Sequence, residues 1–193
     1  MESENKKKQL VTKAQSNVNK LEKLISELLD VSKIQSGQLE LSIQQFDIDA
    51  LLSETITSMQ IVSPLHALVK DGNGGPVIIA ADRQRIEQVL INLISNAVKY
   101  SPAGKTVVIN FTKNEKEVVV AVKDFGIGIP ENERENIFER LYRARDISPH
   151  VSGFGLGLYI CRDIIKRHKG KIWIGESTEG TEFLFSIPLK IVN

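Results

Sequence analysis

The stretch "VLINLISNAVKYS", residues 89–101, decides how the rest of the chain is read. Val89, Leu90, Leu93, Ile94, Ala97 and Val98 recur at helical spacing and make one apolar face. Asn92 and Asn96 stand four apart on another face, with Lys99 and Tyr100 just beyond. Asn disfavours helix interiors because its amide competes with the backbone for hydrogen bonds. A strongly apolar helix carrying an Asn, Asn, Lys ladder therefore poses a question. A solvated polar face answers it as readily as a binding wall does, so the rest of the chain must decide.

Working outward, the pattern continues upstream to about Arg83 and stops at "SPAGK". Residues up to about Ser36 read as a single long helix. Leu10, Ala14, Asn17, Leu21, Leu24, Leu28 and Val31 alternate spacings of four and three, and Val18, Ile25 and Leu29 widen the seam. A stripe that broad suits a helical bundle, and Gly37 is a natural stop. The next segment, "LELSIQQFDI", reads as a strand, followed by a helix from Ala50 to about Ser63 capped by Asp47 or Asp49. Three hairpins are expected: "HALVKDG" with "PVIIAAD", "TVVINFTK" with "EVVVAVKDF", and "KIWIGES" with "TEFLFSIPL". Short helices are expected over Glu131–Phe138 and Gly153–His168. Together these predict an α/β (α+β) two-layer sandwich, a mixed sheet with helices on one face, preceded by the long helix.

Composition narrows the function classes. With a formal net charge of +1, nothing global favours a nucleic-acid partner or a membrane surface. Cys161 is the one cysteine, which excludes a disulfide framework; it lies in an apolar stretch and reads as packing. No apolar run reaches membrane-spanning length, and the start "MESENKKKQ" has no signal core. A cytoplasmic protein without membrane contact is expected.

The glycines carry the chemistry. "AGKT" at residues 103–106 lacks the first glycine of a P-loop, whose position is held by Lys99. "DFGIGIP" and "GFGLGL" fail the dinucleotide fingerprint, since Glu131 and Leu158 stand where its last glycine belongs. A lone G-x-G is more often a turn than a ligand site, but two clusters in one domain are harder to dismiss. Gly126 and Gly128 follow a strand that ends at Asp124, and Gly153, Gly155 and Gly157 open a helix whose unpaired N–H groups suit an anion. Asp124 can accept an exocyclic amine, Asn96 can offer an amide oxygen to a hard cation, and Lys99 can offer a charge to phosphate. The parts suit a purine nucleotide with magnesium.

In order, "NLISNAVKYS", "DFGIGIP", "IFERLYR", "GFGLGLYI" and "EGTEF" closely resemble the N box, first glycine box, F box, second glycine box and final strand of bacterial sensor histidine kinases. "ADRQRIEQVL" leading into the first is also characteristic, so the match runs from Asp82 to Pro188. That family belongs to a superfamily with DNA gyrase B, the ninety-kilodalton heat-shock chaperones and mismatch-repair ATPases. The resemblance implies a protein histidine kinase of a two-component system using ATP and Mg2+. It implies that Asp124 binds the adenine amine with support from Thr181, that Asn96 ligates the metal, that Lys99 approaches phosphate, and that Tyr100 packs by the sugar or base. It also carries Asn92, Gly126, Gly128, Ile129, Gly153, Gly155, Leu156, Gly157 and Leu158 into the nucleotide site. Residues 143–152 would form a lid, with Arg143 or Arg145 reaching phosphate. Asn92 stands where ATP-hydrolysing relatives carry glutamate, which favours transfer over hydrolysis.

The helix "NKLEKLISELLDVSKIQSGQLEL" resembles the second helix of the dimerisation and phosphotransfer hairpin, implying one domain over 1–37 and an ATP-binding domain over 38–193. Three departures stand out. Leu141 replaces a common phenylalanine, and Phe125 a smaller or polar residue. The third concerns the acceptor, which in the family sits in H-E-x-x-x-P. None of His66, His150 and His168 is followed by Glu. The expected acceptor therefore lies on a helix absent from this chain, which alone would not autophosphorylate. Expected partners are that helix, a second kinase subunit in a homodimer, and a response regulator. The competing reading is a nucleotide-binding regulatory module that transfers nothing by itself. A serine kinase of the anti-sigma type is a weaker third, disfavoured by the leading helix.

Overall fold

The heptad-like spacing at the start of the chain becomes a single helix, α1 (Glu2–Gln35), ended by Gly37 at φ +72°. Leu10, Val18, Leu21, Ile25, Leu28 and Leu29 are exposed on it. A computed structural model describes residues 2–72, 75–101, 105–142 and 154–189. The chain divides into two compact units, Met1–Leu39 and Glu40–Asn193.

In the second unit, β1 (Gln44–Asp47) leads into α2 (Ile48–Val62), which starts two residues earlier than the sequence suggests. The Asp47 side chain accepts the Asp49 N–H at 3.1 Å and the Val77 N–H at 2.9 Å, so one carboxylate caps the helix and ties the loop before the next strand. Then follow β2 (Ala67–Lys70), β3 (Ile78–Ala81) and α3 (Arg83–Tyr100). After them come β4 (Thr106–Lys113), β5 (Glu117–Lys123), α4 (Gly157–Arg167), β6 (Ile172–Ile174) and β7 (Glu182–Pro188). The stretch expected as a helix over Glu131–Phe138 is two single 3-10 turns, Glu131–Glu133 and Asn136–Phe138.

Among the described residues the main sheet has five strands in the order β2-β4-β5-β7-β6, and β1 and β3 form a separate antiparallel pair. The β4–β5 and β6–β7 hairpins form as expected. The first expected hairpin does not. β2 pairs in parallel with β4, and β3 pairs with β1 across residues 44–47 and 78–81. "DGNGG" therefore joins strands of different sheets, and the main sheet is mixed. Alternate residues Val107 and Ile109, Val118, Val120 and Val122, and Phe183, Phe185 and Ile187 are buried. α3 packs against β4 and β5, α4 against β6 and β7, and α2 against β2, while α3 packs against both α2 and α4. In edge strand β6, half-buried Trp173 lies opposite Leu184.

Candidate functional site

The site begins where β5 ends. Asp124 is only 3% exposed, and its backbone N–H extends the β5–β7 ladder by donating to the Thr181 carbonyl at 2.8 Å. Its Oδ1 accepts the N–H of Gly126 at 2.8 Å and of Thr181 at 3.1 Å. No hydrogen bond to Oδ2 is made among the described residues. Burial pushes the carboxyl above the ordinary carboxylate range, and the two N–H donors pull it partly back. The result is a buried acceptor with one oxygen anchored and the other uncommitted.

Glycines make this anchoring possible. At Gly180, φ is +71° and a Cβ would lie 2.0 Å from the Asp124 carbonyl oxygen. At Gly126 a Cβ would lie 2.2 Å from the Tyr100 carbonyl oxygen. That close approach brings the end of β5 against the end of α3. Nothing in "EGTEF" marks Gly180 beside Thr181, because the carbonyl it must approach is distant in sequence. Gly128, at φ +74°, lies against the Gly180 carbonyl.

Helix α3 supplies the polar ladder. Its buried face is Ile86, Val89, Leu90, Leu93, Ile94 and Ala97, packed in the core, and Asn92, Asn96, Lys99 and Tyr100 are half-buried on the other side. Lys99 Nζ donates to the Tyr100 hydroxyl at 3.0 Å and stands 4.7 Å from that ring's centre. Asn92 lies at the start of α4, where a Cβ on Gly157 would come within 2.4 Å of its Nδ2. Leu156, which precedes α4, is buried and offers no side-chain cap to the first turn. Gly155, at φ +68°, accepts the Leu141 N–H, and a Cβ there would meet the Tyr142 carbonyl.

Two groups of expected residues are thus brought into contact: Asp124, Thr181, Gly126 and Tyr100, and Asn92 with Gly157. Lys99 adjoins the first through Tyr100, and Asn96 lies one helical turn from each end of the ladder. Ile129 and Leu158 are half-buried, and the Ile129 carbonyl accepts Arg134 Nε at 3.4 Å. Arg143, Arg145, Gly153 and the expected lid over 143–152 lie outside the described residues, as does His150.

The Asn96 side chain makes no hydrogen bond among the described residues, so its amide oxygen is available to a cation. No group of three or more His, Cys, Asp or Glu that could hold a metal occurs there. One amide oxygen fits magnesium, which keeps several waters and is commonly held by one or two protein ligands plus substrate phosphates. Of the histidines, His66 is buried with Nε2 3.4 Å from the Ser101 carbonyl. His168 is buried between α3 and α4, deeper than its place beside Lys166 and Arg167 suggests. Cys161 is buried and forms no disulfide, as expected of a packing residue. No described helix is long and apolar enough to cross a membrane.

The chain is similar to known proteins over much of its length. Residues 81–191 match the profile of the family described as histidine kinase-, DNA gyrase B-, and HSP90-like ATPase. The adaptive-response sensory kinase SasA of Synechococcus elongatus is 31% identical over 185 residues, covering 93% of this chain and 47% of SasA. The sensor histidine kinase WalK of Bacillus subtilis is 33% identical over 182 residues, covering 91% of this chain and 30% of WalK. The chain thus spans half or less of the length of these relatives. The catalytic domain of the histidine kinase ThkA superposes with a TM-score of 0.66 at 31% identity, over 77% of this chain and 98% of that domain. ThkA in complex with the response regulator TrrA superposes with a TM-score of 0.69 at 29% identity, over 90% of this chain and 49% of ThkA.

Proposed function

The chain belongs to the histidine kinase-, DNA gyrase B- and HSP90-like ATPase family, and from that premise we propose that it binds Mg-ATP as the catalytic part of a sensor histidine kinase. The observation that carries the reading is the buried Asp124 carboxylate, anchored through Oδ1 to two backbone N–H groups with Oδ2 uncommitted. Asp124 as a residue is buried, and its uncommitted Oδ2 stays accessible to a donor that a ligand brings. The adenine amine supplies one, and Thr181 holds the carboxylate in line. Tyr100, fixed by Lys99 and by the Gly126 approach, flanks the base and sugar, and Lys99 faces the phosphates. Asn96 holds magnesium, which when bound neutralises phosphate charge. Asn92 is an amide and a poor base, so water is not activated and the terminal phosphoryl group passes to a protein imidazole.

The remaining parts of the proposal rest on the relatives. Residues 1–37 serve as the second helix of a dimerisation and phosphotransfer hairpin, and residues 38–193 as the ATP-binding domain. The acceptor histidine comes from a helix outside this chain, in a homodimer, and a response regulator is the onward partner, a role supported by the complex of ThkA with the response regulator TrrA. The described histidines are both buried, so neither offers its imidazole to an incoming phosphate. The setting is cytoplasmic. That same observation also suits the second reading, a nucleotide-binding regulatory module without transfer of its own.

Mixing the chain with a separately produced acceptor-helix domain and γ-labelled ATP separates the two. Label on histidine supports the kinase, whereas Mg-ATP binding with no transfer to any acceptor supports the module. Asn96→Ala tests the site itself. Losing a contact to a charged group costs on the order of 1.5–3 kcal/mol, so Mg-ATP affinity should fall roughly ten- to a hundredfold. Unchanged affinity by calorimetry would remove Asn96 from the site.

A further inference from the structure

The two helices that line the site pack along each other, and two contacts between their segments stand out. One is the close approach of Gly157, at the start of α4, to the Asn92 amide in the middle of α3. The other is at their far ends. The Asp82 N–H, just before α3, donates to His168 Nε2 at 2.9 Å, and His168 follows the last residue of α4. The helices therefore run antiparallel, and the two contacts lie about 15 Å apart along α3 at 1.5 Å per residue.

The chemistry of the far contact is specific. His168 Nδ1 lies 2.8 Å from the Ile164 carbonyl, which can only accept, so Nδ1 carries the proton. Asp82 N–H can only donate, so Nε2 presents its lone pair. Both demands are met by one neutral tautomer and by no protonated form. Asp82 is occupied on every side. Its Oδ1 caps α3 by accepting the Arg85 N–H at 3.1 Å, and its Oδ2 accepts the Ser42 N–H at 2.8 Å. Both residues are buried, so neither group can exchange its partner for water at little cost. Nothing in nucleotide chemistry needs an imidazole here, some three helical turns from Asn92.

We propose that the buried Asp82–His168 hydrogen bond is a positioning device for the nucleotide site, fixing how far α4 lies along α3 and so holding the Gly157 turn against Asn92. Helices packed by apolar ridges alone can slide by small steps at modest cost. A buried directional bond at one end removes that freedom, and the glycine contact at the other end converts any slip into a clash. His168 is then a positioning residue that acts on ligand through the α3–α4 register.

The inference rests on the nucleotide reading above. The test measures Mg-ADP affinity by calorimetry for the wild-type chain, His168→Leu and His168→Gln, each at a temperature where circular dichroism finds it folded. Gln can still present an oxygen to the Asp82 N–H and Leu cannot. The Leu variant should bind about tenfold or more weakly, and the Gln variant should recover most of that loss. A Leu variant with a lowered melting temperature but wild-type affinity would make His168 structural only and overturn the proposal. So would a Gln variant as weak as Leu. If His168→Leu does not fold, nitrogen NMR of the wild-type chain decides: adding Mg-ADP should shift the His168 ring nitrogens and the Asp82 amide, and their silence overturns the proposal. A wild-type chain that binds no Mg-ADP removes the nucleotide reading, and this inference with it.

Discussion

At the scale of single residues, recognition and stability pull Asp124 in opposite directions. Its folded-state pKa is raised, mainly by burial, so the folded chain holds that proton more tightly than the unfolded chain does. The favourable contribution of the protonated form is complete below the ordinary value of about 3.9 and is lost as pH rises through the raised folded value. Asp124→Asn keeps an oxygen for the Gly126 and Thr181 donors and removes the charge. At neutral pH the variant should be as stable as the parent or more so, while ATP affinity falls and preference for adenine over guanine is lost. Thermal melts paired with calorimetry check this. A variant that melts earlier and binds ATP normally would mean that the carboxylate serves the fold.

His168 has the opposite sign. Its pKa is lowered, chiefly by desolvation, against the raising effects of its bond to Ile164 and the nearby Asp82 charge. Its stabilising share is complete above the ordinary value of about 6.5 and is lost as pH falls toward the lowered folded value. The melting temperature should therefore decline as pH drops below about 6.5, and His168→Gln should flatten that limb. Parallel pH profiles in both proteins would assign the decline to other groups.

At the scale of elements, legibility depended on how local the deciding interaction is. The bounds of α3 were plain because its cap, Asp82, and its breaker, "SPAGK", flank it in sequence. α4 starts at Gly157 rather than at the expected Gly153; Gly155, at φ +68°, bends the chain against Tyr142 just before regular helix begins. The missing β2–β3 hairpin failed for a different reason. Two short apolar runs around glycines look like a hairpin, yet the partner of β2 is β4, and neither turn nor alternation encodes a parallel pairing at a distance. Gly157 itself offers a test at this scale. A Cβ there must displace Asn92 or the first turn of α4, so Gly157→Ala should cost about 1–3 kcal/mol and weaken Mg-nucleotide binding. Full affinity in the alanine variant would show that the turn can shift without consequence.

Helix α1 raises a separate question. Leu10, Leu21, Ile25 and Leu28 are exposed on it, and each would contribute roughly 1.5–3 kcal/mol if fully buried. Such a face should drive weak self-association, limited by Asn17 in the seam. Sedimentation over a range of concentrations should find the parent associating and Leu21→Glu/Leu28→Glu monomeric. A parent that stays monomeric at every concentration would mean the face needs a partner of different chemistry.

At the scale of the whole molecule, the family and the ligand class were legible because five short motifs keep their order along the chain. The anchoring of the site was not. The Thr181–Asp124 and Asp82–His168 bonds join residues 57 and 86 positions apart, and each uses a backbone N–H, which every residue type but proline carries. Side-chain identity announces the carboxylate and the imidazole, but their backbone partners leave no mark in the sequence. Gly180 shows the same limit, since its reason is the distant Asp124 carbonyl.

The position of the lone tryptophan has a practical consequence. Trp173, in edge strand β6, emits from the second unit alone, whereas the 34-residue α1, the longest helix described, contributes a large share of the far-ultraviolet ellipticity. Two spectroscopic signals in one cuvette thus weigh the two units differently: emission reports the second alone, and ellipticity reports both. An isolated helix is marginal in water, and much of the apolar face of α1 is uncovered. Ellipticity should begin to fall at lower denaturant than indole emission shifts. The gap between the two midpoints then measures, without any label or mutation, how far the leading helix relies on company it must find elsewhere.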